Sequence, residues 1–234
     1  MDCRLYQKGI ILFVLCVAVV QQHTLQAQPN ESQRWRDSLT VLNKLIETQP
    51  WSTDVHLRKA AANLHLKQWQ YAIDEYGLVL QKESHNPAAL FYRAYANTHL
   101  RHFDLAKNDL NDLLIVVPNH FEARLSLAIV LQQLGRKQEA LDQLNQTIQM
   151  HADSAVAYAA RANVERQMKL DDAALYDWER AEQLAPRDPT YVVSHVDLLL
   201  VLERRTEARK VLDAAVRRGI ARGMLLEWYE KCKR

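Results

Sequence analysis

Residues 87–120 read PAALFYRAYANTHLRHFDLAKNDLNDLLIVVPNH, a 34-residue stretch whose pattern recurs along most of the chain. Within it, the small residues Ala94 and Ala106 stand twelve apart, and the apolar Leu110 follows four residues later. The first small position recurs every 34 residues as Ala60, Ala94, Ala128, Ala162 and Val196, and the second as Ala72, Ala106, Ala140, Ala174 and Ala208. Recurrence at a fixed period of this length indicates an array of structural repeats.

Each repeat is predicted to contain two α-helices. In the second half of the quoted stretch, Ala106, Leu110, Leu113 and Leu114 follow one another at the spacing that places residues on one face of a helix. Start signals agree with this, because Asn86 precedes Pro87 in the arrangement of an N-cap residue and a first-turn proline. Two antiparallel helices with small residues twelve apart can approach closely where those residues face each other. No segment alternates as a half-buried strand would, so the sequence predicts an all-α fold.

The composition is that of a globular protein without nucleic-acid-binding character. Of the 234 residues, 48% are hydrophobic and 25% are charged, which excludes wholesale disorder. Five Gly and six Pro are too few for a turn-rich β-sandwich or barrel. Thirty basic residues against 28 acidic ones give a formal charge of +2, which offers no reason to expect a nucleic acid as partner.

The repeat pattern resembles the tetratricopeptide repeat (TPR) family, whose 34-residue unit has small residues at these two places and a proline near its end. The resemblance implies an all-α TPR superhelix of antiparallel helix pairs. It covers five units, 53–86, 87–120, 121–154, 155–188 and 189–222. Residues 28–52 would then form an N-terminal capping helix and residues 223–234 a C-terminal one. The sequence departs from the family at Ser84, Ala152 and Ile220, which stand where the closing proline would be.

Similarity to this family also implies a concave binding surface lined by the first helix of each unit. Candidate residues on this surface are Leu57, Arg58, Leu64, Phe91, Tyr92, Tyr95, Leu125, Ile129 and Arg166. The apolar and aromatic side chains among them favour a peptide or protein segment of unknown identity as the ligand. A second interpretation stays open, in which Phe91, Tyr92 and Tyr95 only cover the packing between helices.

One TPR subclass grips the C-terminal carboxylate of heat-shock chaperones with two Lys, two Asn and an Arg. The corresponding residues here are Leu57, Ala61, Tyr92, Glu122 and Ser126, and none of them matches. The resemblance therefore does not extend to chaperone-tail binding.

No catalytic pattern is present in the sequence. It contains no Gly-rich phosphate loop, no Ser-centred nucleophile elbow and no His-Glu-x-x-His metal motif, and its nine His follow no ligand spacing. We therefore expect a non-enzymatic adaptor without a metal or a cofactor. The alternative is a structural subunit of an envelope complex or of a homo-oligomer that has no exchangeable peptide ligand.

Residues 1–27 have the order of a secretory signal peptide. Arg4 and Lys8 precede eleven apolar residues at 10–20, and a polar stretch leads to Ala27. The apolar run is shorter than the about 20 residues of a membrane-spanning helix, so we expect cleavage and export to the bacterial periplasm or cell envelope, with no membrane span in the mature chain. An uncleaved anchor is the alternative. Cleavage would leave Cys232 as the only cysteine, so no internal disulfide is expected.

We expect the mature protein to begin at or near Gln28, because Ala27 is the best small residue at the end of the polar stretch. The intact mass of the protein isolated from its native envelope measures this directly. A mass that includes residues 1–27 would favour a membrane anchor. A lipid adduct on Cys16 would contradict our expectation, based on Leu15 at the position before it, that this is not a lipoprotein.

Overall fold

The computed structural model describes residues 29–233, so the predicted signal peptide lies outside the described residues. The described residues form α-helices joined by short turns, with no strand among them. The predicted all-α fold is confirmed. The helices are α1 Pro29–Thr48, α2 Thr53–His65, α3 Trp69–Lys82, α4 Pro87–His99, α5 Phe103–Val116, α6 Phe121–Gln133, α7 Lys137–Met150, α8 Ala155–Gln167, α9 Asp171–Leu184, α10 Pro189–Val201, α11 Arg205–Arg217 and α12 Leu226–Lys231.

The described residues divide into two compact units between Arg136 and Lys137. The N-terminal unit contains α1 to α6, and the C-terminal unit contains α7 to α12 together with a 3₁₀ turn at Arg222–Leu225. This division falls inside the predicted third repeat, 121–154. The repeat boundaries given above stay a prediction.

In the N-terminal unit, consecutive helices pack against each other from α1 to α6. The small residues of the repeat lie at these contacts, because Ala60, Ala72, Ala94 and Ala106 are at most 1% exposed. Tyr76 and the other large apolar residues that follow them are also buried. The 34-residue pattern therefore marks the helix-to-helix core of this unit.

In the C-terminal unit, α7 to α11 likewise pack in chain order, and α12 contacts α10 and α11. Ala140, Ala162, Ala174 and Ala208 are fully buried, as is Val196, which takes the place of an alanine. Trp178 is the largest side chain that is completely buried in the described part of the chain.

Side chains cap the first helix of each helix pair. The Asn86 side chain accepts a hydrogen bond from the backbone N–H of Ala89 at 3.0 Å, and Asp188 accepts one from Thr190 at 2.8 Å. At α6 the cap is His120, whose Nδ1 accepts from the N–H of Ala123 at 3.3 Å. Histidine is not among the usual N-cap residues, so sequence reasoning did not find this cap.

The turn inside each helix pair needs one residue in the left-handed conformation. That position recurs every 34 residues as Lys67, Arg101, Gly135, Lys169 and Glu203, with φ between 57° and 76°. Only the glycine adopts this conformation without a steric cost, which is about 1–2 kcal/mol for other residues. The turn geometry is therefore imposed by the packing of the helices that it joins.

A buried ion pair links the two helices of three helix pairs. Lys59 contacts Glu75 at 2.8 Å, Arg93 contacts Asp109 at 2.5 Å, and Arg161 contacts Asp177 at 2.6 Å. In each pair the cation precedes the carboxylate by sixteen residues. The three carboxylates are buried, and removing one partner from such a pair would leave an uncompensated buried charge.

Glu165 adds a second carboxyl group to the Arg161–Asp177 pair. The corresponding residues of the first two repeats are the amides Asn63 and Asn97. Glu165 is 9% exposed and lies 3.8 Å from Nε of Arg161. Burial, and then the charge of Asp177, raise the pKa of Glu165 from 4.5 to about 7.

This carboxyl group should make stability fall as the pH rises. The folded protein keeps the proton of Glu165 up to about pH 7, whereas the unfolded chain releases it near its ordinary pKa of 4.5. The free energy of unfolding therefore decreases between these two pKa values. Glu165→Gln removes this loss, so we expect the stability of the variant relative to the unmodified protein to increase between about pH 5 and about pH 8.

Chemical denaturation across this pH range measures the difference. Glu179→Gln, at an exposed position of α9, is the matched control, and its difference from the unmodified protein should not change in this way. A Glu165→Gln difference that is constant with pH would contradict the assignment.

Candidate functional site

The predicted surface residues fall in both units. Leu57, Arg58 and Leu64 lie on α2, Phe91, Tyr92 and Tyr95 on α4, and Leu125 and Ile129 on α6, all within the N-terminal unit. Arg166 is half-buried on α8 and belongs to the C-terminal unit. The eight residues of the N-terminal unit are the candidate site considered first.

Leu125 lies beneath the surface of this unit, because only 2% of it is exposed. The four successive residues 125–128 of α6 are all buried, so the helix is enclosed on most of its circumference. The equivalent residue of a more exposed helix would line the surface, so repeat position alone did not predict the burial of Leu125. Leu125 therefore offers almost no contact area to a ligand.

The other predicted residues are open to solvent to different degrees. Tyr92 is the most open of the aromatic ones, with 45% of it exposed. Leu57, Leu64, Phe91, Tyr95 and Ile129 are half-buried. Arg58 is exposed, and its guanidinium lies 3.5 Å from the carboxylate of Asp54 on the same helix.

Phe91 and Tyr95 line one small depression between α4, α5 and α6. Its remaining lining comes from Ala94, Thr98, Leu110 and Ser126. The depression has no room for a water molecule, so it is an indentation of the surface and not a cavity. It could receive part of an apolar side chain after a small movement of the rings.

Two histidine–tryptophan stacks lie in the N-terminal unit, and sequence reasoning missed them. The ring of His65 stacks on Trp35 at 3.9 Å between centroids, and His99 stacks on Trp69 at 4.0 Å. The rings of each stack are nearly parallel, with interplanar angles of 7° and 2°. Both members recur at the 34-residue period, and this recurrence is the signal that could have revealed them.

Tyr95 and Phe91 each contact a histidine ring. The ring of Tyr95 lies 4.6 Å from His99 and 6.0 Å from Trp69, in both cases edge to face. Phe91 stacks on His120 at 5.3 Å. We call Trp69, Phe91, Tyr92, Tyr95 and His99 the aromatic cluster. Within it Tyr95 is a packing residue as well as a surface residue.

Tyr92 reaches a different neighbour. Its ring stacks on the buried Tyr76 of α3 at 6.1 Å and meets Phe91 edge to face at 5.3 Å. Tyr92 is therefore fixed on one side and exposed on the other. Such a side chain can contact a partner with little loss of conformational entropy.

The aromatic cluster is close to electrically neutral. Burial, and then the positive charge of Lys67, lower the pKa of His99, so its imidazole is uncharged at pH 7. Burial raises the pKa of Tyr95, which keeps the phenol neutral. Arg58, the charged residue among those predicted in this unit, is paired with Asp54. This surface suits apolar and aromatic groups and has no acid–base chemistry of its own.

The C-terminal unit has a cleft of about 670 Å³ between α9, α10 and α11. Four basic and four acidic residues line it. Most of them pair with each other, because Glu182 accepts from His195 at 2.8 Å and from Arg218 at 2.6 Å, and Arg204 donates to Glu207. The cleft is therefore balanced in charge and shows no preference for an anion or a cation.

Residues 29–233 contain no group of three or more His, Cys, Asp or Glu arranged to hold a metal ion. None of the described helices is both long and apolar enough to cross a membrane.

Comparison with known proteins agrees with the repeat architecture. A tetratricopeptide repeat family model matches residues 99–155. The human protein "Tetratricopeptide repeat protein 16" is 25% identical over 179 residues, which is 71% of this chain but 20% of that protein. The chain thus spans about a fifth of the length of that curated relative.

Two solved structures share the fold at low identity. The structure of MamA has a TM-score of 0.64 and 20% identity, and the match covers 71% of this chain and 91% of that one. YrrB, described as a TPR protein with an unusual peptide-binding site, has a TM-score of 0.60 and 17% identity, with coverage of 76% and 92%. The chain therefore has an all-α helical-repeat fold, and the family match supports tetratricopeptide repeats as its units.

Proposed function

We propose that this protein is a non-enzymatic adaptor that holds a segment of a partner protein on the aromatic cluster of its N-terminal unit. TPR proteins generally mediate protein–protein interactions and are typically not enzymes. The observation that carries the proposal is the exposed face of Tyr92, which is braced by Tyr76 and lies beside the depression of Phe91 and Tyr95. Rigid aromatic side chains of this kind are common anchors at protein interfaces.

The chemistry of the cluster favours an apolar or aromatic partner segment. The imidazole of His99 and the phenol of Tyr95 are neutral, and Arg58 is paired with Asp54. Lys67 is an exposed cation whose charge acts on His99, whereas the cluster itself presents aromatic rings. The adaptor is therefore proposed to recognise apolar and aromatic side chains within a segment.

The proposed location is the periplasm or cell envelope, where the partner would also be found. Support for it comes from the basic and apolar order of residues 1–27. The alternative function, a structural subunit of an envelope complex or a homo-oligomer, uses the same surface for a permanent contact.

Tyr92→Ala should weaken binding of the partner without unfolding the protein. Truncation of one aromatic anchor costs about 2 kcal/mol of binding, which is roughly a thirtyfold loss of affinity. The partner is identified by affinity purification from an envelope fraction with mass spectrometry, and the variant is then tested in the same capture. Its melting temperature should stay close to that of the unmodified protein, because 45% of Tyr92 is already exposed.

Tyr71→Ala is the matched control, since Tyr71 is an exposed tyrosine of the same unit outside the aromatic cluster, with 66% exposure. Unchanged capture by Tyr92→Ala would refute the proposed site. A large drop in its melting temperature would show that Tyr92 is a packing residue. Capture of the protein's own copies alone, lost in Tyr92→Ala, would favour the homo-oligomer.

A further inference from the structure

Positive charge is concentrated at the end of the chain. Residues 204–234 contain ten of the thirty basic residues of the protein but only four acidic ones. The whole chain has a formal charge of +2, so the rest of it is slightly acidic.

Two exposed arginines of this segment contact one aromatic ring, and a third lies one helical turn from one of them. The guanidinium carbon of Arg222 is 4.8 Å from the centre of the Tyr229 ring, and that of Arg209 is 5.7 Å from it. Arg205 precedes Arg209 by one helical turn on α11, and both arginines act electrostatically on Cys232. We call Arg205, Arg209 and Arg222 the C-terminal arginine surface.

The ring at the centre of this surface is fixed in place. Tyr229 is only 3% exposed, and its hydroxyl donates a hydrogen bond to Asp213 at 2.7 Å. Two of the guanidinium groups are therefore held near a rigid platform by cation–π contacts. A surface that is ordered in this way loses less entropy when a ligand binds.

No carboxylate of the described residues forms an ion pair with any of these three arginines. The nearby carboxylates are already engaged, because Glu227 pairs with Lys231 and Glu230 with Lys233, each at 2.6 Å. Arg205 also lies in the first turn of α11, where the helix dipole disfavours positive charge. Elsewhere in this unit Arg161 and Arg218 have buried carboxylate partners. Asp213, which accepts the hydrogen bond of Tyr229, adds one negative charge beside the three positive ones, so the surface keeps a net positive charge.

We infer that the C-terminal arginine surface binds an acidic segment of a partner protein. The guanidinium group is planar and matches a carboxylate through two parallel hydrogen bonds. Met224 and Leu226, which are 57% and 53% exposed, follow Arg222 in the chain and would contact apolar side chains of the same segment. Lys210 and Arg217 of α11 line the cleft described above, so this surface carries three arginines. Three are fewer than the four to eight basic residues that typically recognise an anionic membrane, so a protein segment is favoured.

This surface is separate from the aromatic cluster in its chemistry and in the unit that carries it. It lies in the C-terminal unit, whereas the aromatic cluster lies in the N-terminal unit. The inference does not depend on the proposed function, and either can fail without the other.

The test uses fluorescein-labelled hexaglutamate as the probe and fluorescence anisotropy with the purified protein as the readout. We expect hexaglutamate to bind, hexalysine not to bind, and added salt to weaken binding. The variant Arg205→Gln, Arg209→Gln, Arg222→Gln should bind hexaglutamate at least about tenfold more weakly, because it loses three charge-assisted contacts. The matched control Arg34→Gln, Lys44→Gln, Arg187→Gln removes the same charge from exposed positions elsewhere and should bind normally.

Equal weakening in the variant and the control would overturn the inference, since net charge alone would then explain binding. Normal binding of hexaglutamate by the triple variant would also overturn the inference. Binding to vesicles of one part phosphatidylserine and two parts phosphatidylcholine, without binding to hexaglutamate, would show a membrane surface instead. If the triple variant melts at a lower temperature, Arg205→Gln alone should still weaken binding about two- to fivefold, because Arg205 has no contact with the Tyr229 ring.

Discussion

The close contact between paired helices at small residues is the constraint on which the rest of the structure depends. Alanine recurs at both contact positions with a period of 34 residues, and these alanines are almost completely buried in both units. Valine is accommodated at position 196, but a much larger side chain at either position would separate the helices and leave the apolar residues one turn away without a partner. The left-handed turn between the helices follows from the same contact, since Lys67, Arg101, Lys169 and Glu203 adopt it despite the steric cost.

Most of the fold could be predicted from the sequence because this contact depends on residue size and spacing alone. The buried ion pairs could not be predicted so easily. Lys59, Arg93 and Arg161 recur at the repeat period, but recognising their partners sixteen residues later requires knowing how the second helix returns along the first. Glu165 shows the limit most clearly, because its raised pKa arises from burial beside Asp177.

The candidate site was predictable in part. The position of Tyr92 in the repeat indicated a surface residue, and 45% of it is exposed. Leu125 occupies a comparable position, but the uninterrupted burial of residues 125–128 removes it from the surface. Tyr95 depends on two stacked rings, Trp69 and His99, that come from different helices. Repeat position thus predicts on which face of its helix a residue lies. The exposure of that residue depends on the neighbours that the packed helices bring to it.

The most direct test of this account is the free energy of unfolding of Ala106→Arg compared with that of Asn108→Arg. Both variants place an arginine on α5, but Ala106 is fully buried at a helix contact and Asn108 is exposed. We expect Ala106→Arg to lose more than about 3 kcal/mol and Asn108→Arg to change by less than about 0.5 kcal/mol. Equal stabilities of the two variants, measured by chemical denaturation, would contradict the close helix contact.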